Sequence, residues 1–206
     1  MYRRMFLVIL FFISCLIANA TMHTGVLRIN LNNFGSKSNL RIYNRDGSVY
    51  VTVFKEDGEV KILDDTKKIN NSILKDIRAY YLDYGLMIFD VDPVQGNQYP
   101  VYIGNQLKFI KTNDITIFGS YQSWNKFIAS VFIKINNASS LLSDTTHKKI
   151  IPEAEKYSYS IKKISGDWAY VECLKTCEEC PVGKIIRGWI RWRDNNKLLI
   201  DLFYFC

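Results

Sequence analysis

Three of the five cysteines lie close together, at positions 173, 177 and 180, and a fourth is residue 206. The spacing C-x3-C-x2-C with a distant fourth thiol is compatible with an all-cysteine zinc site. The same four thiols can instead form two disulfides, in any of three pairings. Cys173 with Cys180 would join the ends of one loop, and Cys177 with Cys206 would fix the C-terminal segment. The spacing alone leaves zinc, disulfides and unpaired thiols open.

The first twenty residues predict a secretory signal peptide. Tyr2-Arg3-Arg4 is positively charged, the run from Met5 to Ile17 is mostly apolar, and Ala18-Asn19-Ala20 matches the small-x-small cleavage rule. An uncleaved anchor is the first alternative, although the apolar run is short for a membrane span. A lipoprotein signal acylated at Cys15 is the second, and the residues around Cys15 match that pattern poorly. Cleavage after Ala20 predicts a secreted or periplasmic protein, and an oxidising compartment favours disulfides over zinc.

The charge pattern argues against a nucleic-acid partner. The formal net charge of +7 falls to +5 when the signal peptide is removed, because two arginines and no acid leave with it. The lysines are spread along the chain, whereas a nucleic-acid interface needs basic residues clustered on one face. We expect no membrane span in the mature chain.

The residues that could perform catalysis are poorly placed for it. The two histidines, His23 and His147, lie in a predicted N-terminal tail and a polar segment, and neither follows a mature cysteine. The acid pairs Asp64-Asp65 and Glu178-Glu179 are adjacent in sequence, so on a strand their side chains would point to opposite faces. We therefore predict a protein that is not an enzyme, with no cofactor and no metal.

The elements that position these residues are mostly strands. Alternating runs surround Asp46-Gly47 and Asp57-Gly58, which predicts a three-stranded meander, and Gly104-Asn105 predicts a further hairpin. Ser123 can cap a short helix, since Trp124, Phe127, Ile128 and Val131 follow at helical intervals. Polar residues from 136 to 156 predict a boundary between a β-rich domain at 21–135 and a second domain at 139–206.

The second domain contains a two-part motif. Gly166-Asp167-Trp168-Ala169-Tyr170-Val171-Glu172 followed by Gly188-Trp189-Ile190 resembles the signature of bacterial SH3 (SH3b) domains. In that family a G-D-W-x-x-V strand pairs with a G-W-[VI] strand across a hairpin. Leu141-Leu142-Ser143-Asp144 resembles the family's opening strand, and the whole layout is similar to secreted SH3-containing proteins of the Bacteroidetes type.

The SH3b resemblance covers about residues 139–206 and implies a small barrel of five to six strands. The hairpin loop is longer than usual and rich in cysteine, and an apolar tail from Leu198 to Cys206 is a second departure. The expected fold is therefore mainly β: an N-terminal antiparallel β domain with a short helix, followed by a small SH3-like β-barrel.

Strand alternation separates core from surface in the motif. Ala169, Val171 and Cys173 share one face, and Trp168, Tyr170 and Glu172 share the other. Val171 and Ile190 are the predicted core residues, which places Trp189 and Arg191 on the outer side. The predicted ligand-binding residues are Trp168, Tyr170, Glu172, Trp189 and Arg191. Alternatively, the aromatic side chains fill the junction between the two domains.

Two functions fit these features. The first is an exported, non-catalytic binding module whose aromatic groove recognises a peptide, peptidoglycan or an envelope protein, since such a groove suits an extended peptide. The second is an envelope inhibitor or immunity-type protein that neutralises a toxin or hydrolase.

Overall fold

The structure, a computed structural model, describes residues 23–35, 38–81, 84–136, 140–143, 150–174, 180–181, 185–194 and 197–204. The predicted signal peptide, Asp144, His147, Cys177 and Cys206 lie outside these residues. The fold is mainly β, with antiparallel sheets and short helices, as the sequence predicts.

Nine strands form the first sheet, in the order β4-β3-β2-β8-β7-β6-β1-β9, with β5 paired to β6. Two short helices, α1 and α2, flank β9. The bounds of these elements are β1 (Gly25–Asn30), β2 (Asn39–Tyr43), β3 (Val49–Glu56), β4 (Glu59–Asp64), β5 (Ala79–Tyr81), β6 (Leu86–Val91), β7 (Gln98–Ile103), β8 (Gln106–Lys111), α1 (Thr112–Phe118), β9 (Gly119–Ser123) and α2 (Trp124–Ile128).

The predicted hairpins of the first sheet are confirmed. β2, β3 and β4 pair in sequence, and β7 pairs with β8. Glu56 lies opposite Glu59, so Asp57 and Gly58 form a two-residue loop with φ values of 53° and 83°. Positive φ at both loop residues is what a type I′ hairpin turn requires, and it explains the Asp-Gly pair.

The predicted helix is confirmed as α2, and its start is fixed by Ser123. The hydroxyl of Ser123 accepts a hydrogen bond from the backbone N–H of Lys126, the usual role of an N-cap serine. Trp124, Phe127 and Ile128 are buried along the helix. α2 therefore presents an apolar side to the rest of the protein.

Five strands form the second sheet, in the order β13-β12-β11-β10-β16. β10 precedes the polar residues 136–156 in the chain, so the segment 21–135 contains a strand of the second sheet. Closure of this sheet into a barrel remains a prediction. The bounds of its strands and of a separate β14-β15 pair are β10 (Phe132–Ile135), β11 (Ser158–Ser165), β12 (Trp168–Cys173), β13 (Arg187–Arg191), β14 (Arg193–Asp194), β15 (Lys197–Leu198) and β16 (Ile200–Phe203).

Two apolar cores result, and the second is shared by both sheets. The first core contains the side chains on one face of the first sheet, such as Leu27 and Phe89. The opposite face of that sheet, including Val26 and Ile88, joins the second core. The second core also contains α2 and the inner face of the second sheet: Trp124, Phe127, Ile128, Ala169, Val171, Ile190, Trp192 and Ile200. Among the described residues, no helix has the length and apolar content to cross a membrane.

Candidate functional site

The alternation predicted for β12 and β13 is confirmed. Ala169, Val171 and Ile190 are completely buried in the shared core. Trp168, Tyr170 and Trp189 lie on the opposite side and are half-buried. The two strands of the motif pair antiparallel, with Ala169 opposite Ile190. The hairpin pairing implied by the SH3b resemblance is therefore present.

Nine residues of β11, β12 and β13 lie on the side of the sheet that faces away from the shared core. We call this side the outer face. Residues directly opposite one another in an antiparallel pair point to the same side of a sheet, so the strand register assigns them to three cross-strand rows. The rows are Ser165–Trp168–Arg191, Lys163–Tyr170–Trp189 and Ser160–Glu172–Arg187.

Aromatic rings occupy the middle of the outer face. Tyr170 and Trp189 are directly opposed, and their ring centroids lie 5.4 Å apart at an interplanar angle of 60°. This edge-to-face geometry is favourable for aromatic pairs. Trp168 lies one row away, about 7 Å along β12, and faces Arg191 rather than Trp189. The predicted patch is therefore a contacting pair with a third ring beside it.

Charged side chains surround these rings, and two of them were missed by the sequence analysis. Arg187 is exposed opposite Glu172, and Lys163 is exposed opposite Tyr170. Alternation along β13 could have identified Arg187, two positions before Trp189. The predicted Arg191 is also exposed and forms an ion pair with Asp194, at 2.9 Å between Nη2 and Oδ1.

The Gly-Asp pair at the start of the motif has a structural role. Gly166 has φ of +58°, which glycine adopts readily, in the turn between β11 and β12. Its carbonyl oxygen accepts a hydrogen bond of 3.1 Å from the indole N–H of Trp192. The Asp167 carboxylate accepts one of 2.6 Å from Nε of Arg193. These contacts attach the turn to the chain beyond β13.

The second glycine of the motif allows a close backbone approach. Two backbone hydrogen bonds of 2.8 Å join Leu142 to Trp189. A Cβ atom at Gly188 would clash with the carbonyl oxygen of Leu142. Leu142 pairs with β13 only through an isolated bridge, so the described residues 141–143 do not form the predicted opening strand. The strand of this sheet that comes first in the chain is β10.

A disulfide links Cys173 to Cys180, as one of the predicted pairings requires. Cys173 is the last residue of β12 and its side chain belongs to the shared core. The bond therefore ties the loop after β12 to the inner side of the sheet. Among the described residues, no group of three or more histidine, cysteine or acidic side chains is placed to hold a metal ion.

A cavity of about 410 Å³ lies on the first sheet, and another of about 530 Å³ lies next to β13 of the second sheet. The second lies beside the outer face, because Arg187 lines it together with Glu153 and mostly apolar side chains: Ile151, Pro152, Tyr157, Ile185 and Ile186. Ile185 is 58% exposed. The Arg187 end of the outer face therefore continues into a depression that has both apolar and charged side chains.

His23 precedes β1 of the first sheet and lies away from the motif. Its Nδ1 is 3.2 Å from Oδ1 of Asp92, and its ring packs on Tyr102 at a centroid distance of 3.8 Å. The Tyr102 hydroxyl donates a 2.6 Å hydrogen bond to the same carboxylate. Burial, with a smaller contribution from Asp92, raises the pKa of Tyr102 to about 12.

No family model, curated protein or solved structure matches the chain.

Proposed function

We propose that the protein is an exported, non-catalytic binding module of the SH3b type whose outer face recognises an extended peptide. The observation on which this depends is the Tyr170–Trp189 ring pair on the solvent side of β12 and β13. The rings are backed by a completely buried layer that includes Val171 and Ile190. Rings held on a rigid sheet lose little side-chain entropy when a ligand covers them, so they suit peptide recognition.

Charged groups next to the rings support binding of a peptide over binding of a purely apolar ligand. Glu172, Arg187, Arg191 and Lys163 provide both donors and acceptors around the pair. Each can fix the orientation of a backbone or a charged side chain that crosses the rings. Partners of this kind include a peptide of the cell wall and a segment of an envelope protein.

Export is part of the proposal. The disulfide between Cys173 and Cys180 supports an oxidising compartment, because cytosolic thiols are kept reduced. The motif at Ala18-Asn19-Ala20 predicts a mature N-terminus at Thr21. N-terminal sequencing of the exported protein tests this, and a start at a lipid-modified Cys15 would contradict it.

Binding is tested by selection from a random peptide display library on the mature chain, followed by measurement of the selected peptides on two variants. Trp189→Ala removes one ring of the pair, and we expect it to abolish binding. Tyr84→Ala is the matched control, because Tyr84 is a 56% exposed aromatic residue before β6. Its removal should leave binding unchanged.

The outcome depends on which variant loses the ligand. Selected peptides that bind Trp189→Ala as tightly as the unchanged protein would place the binding site elsewhere and refute the proposal. Sedimentation of the same three proteins with isolated cell wall then separates the two ligand sources. If the ligand is a wall peptide, the unchanged protein should sediment with the wall and Trp189→Ala should not. If the ligand is a protein, none of the three proteins should sediment with the wall.

A further inference from the structure

We propose that the outer face takes an acidic, extended segment of a partner protein, in which two carboxylates flank one apolar side chain. This inference rests on the proposed function and specifies the ligand of the same site. It follows from three features of the outer face: the spacing of its arginines, its charge and its central rings.

The spacing comes from β13, whose sequence is Arg-Gly-Trp-Ile-Arg. Arg187, Trp189 and Arg191 alternate with the buried Gly188 and Ile190, so all three lie on the outer side. Successive side chains on one side of a strand are about 7 Å apart. An extended ligand that lies along β13 has the same repeat. Three ligand residues, at every second position, therefore contact Arg187, the Tyr170–Trp189 ring pair and Arg191 in that order.

The charge of the outer face favours a negative ligand. Among its nine positions, Lys163, Arg187 and Arg191 are positive and Glu172 alone is negative. All three positive side chains are exposed. Guanidinium groups present several N–H donors in a planar fork that matches a carboxylate, so the two arginines are better suited to acids than to neutral amides.

Among the described residues, three acids lie near the arginines: Asp194, Glu172 and Glu153, which lines the cavity beside Arg187 and forms an ion pair with Lys156. Asp194 already pairs with Arg191, yet the two side chains are 49% and 44% exposed. Ion pairs this exposed contribute little, so a ligand carboxylate can share or replace Asp194. Glu172 lies opposite Arg187 and reduces the positive potential at that end. Lys163, next to Tyr170, adds a positive charge in the middle row.

The central position of the ligand is apolar for a separate reason. Tyr170 and Trp189 meet edge to face between the two arginines of β13, and Lys163 lies on the far side of Tyr170 from Trp189. A phenylalanine or leucine side chain that covers them removes apolar surface from water. The recognised pattern is therefore acid–x–apolar–x–acid, the complement of Arg-Gly-Trp-Ile-Arg.

The test uses two labelled peptides and the mature chain. One peptide contains Glu-Ser-Phe-Ser-Glu within a Gly-Ser frame, and its twin contains Gln-Ser-Phe-Ser-Gln. By fluorescence anisotropy at low ionic strength, we expect the acidic peptide to bind about tenfold more tightly than its twin. Added salt should reduce the difference, because exposed charges are screened.

Variants assign the preference to named residues. Arg187→Gln and Arg191→Gln should each weaken binding of the acidic peptide about threefold and leave binding of its twin unchanged. Arg45→Gln is the matched control, because Arg45 is an exposed arginine in the turn between β2 and β3. It should change neither affinity. Circular dichroism of each variant verifies that the fold is retained.

The results separate this inference from the proposed function. Equal affinity for the two peptides, or no binding of the acidic peptide at millimolar concentration, overturns the acidic preference. Peptides selected from the random library and lost on Trp189→Ala would still support the binding module in that case. Binding of the acidic peptide that survives Trp189→Ala overturns both proposals.

Discussion

The indole ring of Trp192 packs against the indole ring of Trp124, with ring centroids 6.3 Å apart. Trp124 begins α2, at the end of the first sheet, and Trp192 follows β13 of the second sheet. Both side chains are buried, Trp192 completely. The pair therefore lies where the two sheets share one core, a role that the sequence analysis considered for the aromatic residues of the motif.

Trp192→Ala should destabilise the protein by about 3–5 kcal/mol, because it removes a large buried side chain and its hydrogen bond to Gly166. Trp189→Ala is the control and should cost about 1 kcal/mol, since Trp189 is half-buried outside the shared core. Urea denaturation followed by circular dichroism measures both. A similar loss for the two variants would contradict the assignment of Trp192 to the junction.

Val171→Ala should lower the free energy of unfolding by about 1–3 kcal/mol, through lost apolar contacts and a residual cavity. Val171 is completely buried in the shared core. Val49→Ala provides the comparison at an exposed position of β3, where the change should be within about 0.5 kcal/mol. Equal effects in thermal denaturation would mean that Val171 does not belong to the core.

Reduction of the Cys173–Cys180 disulfide should destabilise the protein by about 2 kcal/mol, because the crosslink restricts a short loop in the unfolded chain. The double variant Cys173→Ala/Cys180→Ala should show a comparable loss without reductant. Adding reductant to that variant should change its melting temperature little. A further large decrease would show that another pair of thiols is crosslinked.

Tyr80→Phe should raise stability at neutral pH by about 1 kcal/mol. Within the described part of the chain, the buried hydroxyl of Tyr80 has no hydrogen-bond partner, so its removal ends a desolvation cost. Tyr102→Phe should have the opposite sign, because it removes the hydrogen bond to Asp92. The urea midpoint of each variant is compared with that of the unchanged protein. We expect a higher midpoint for Tyr80→Phe and a lower one for Tyr102→Phe, and a change in the same direction for both would contradict this prediction.

Alkaline pH should destabilise the protein between pH 10 and 12. Burial raises the pKa of Tyr80 and of Tyr102 from 10.0 to about 12, and it raises the pKa of Tyr159 and Tyr204 as well. In this interval the unfolded chain releases protons that the folded protein retains. Stability is therefore complete below pH 10 and is lost as pH rises through the folded pKa values. The Tyr80→Phe variant should lose less stability over the same interval.

Much of the candidate site could be predicted because strand alternation is a local property. The buried positions Val171 and Ile190 and the outer positions Tyr170 and Trp189 all follow from the period of two in β12 and β13. Lys163 could not be placed in this way. A register shift between Ile161 and Lys163 inserts a residue into β11, and such a bulge changes which side chains face outward.

The parts of the fold that the sequence did not predict depend on distant contacts. β9 is the polar segment Gly-Ser-Tyr-Gln-Ser and becomes a strand because it pairs with the apolar β1. β5 has only three residues, too few for a periodic signal. Trp192 alternates correctly with Ile190, but its contact with Trp124 joins residues from different sheets, which local periodicity does not reveal.

The position of β10 in the second sheet determines when that sheet can be completed during synthesis of the chain. β10 pairs with β11 on one side and with β16 on the other, and β16 begins only at Ile200, far along the chain from β10. Until those residues have emerged, one edge of β10 has open backbone groups that other chains can pair with. A chain whose synthesis pauses before residue 200 therefore exposes an unpaired strand edge, next to α2, that can form hydrogen bonds with another chain.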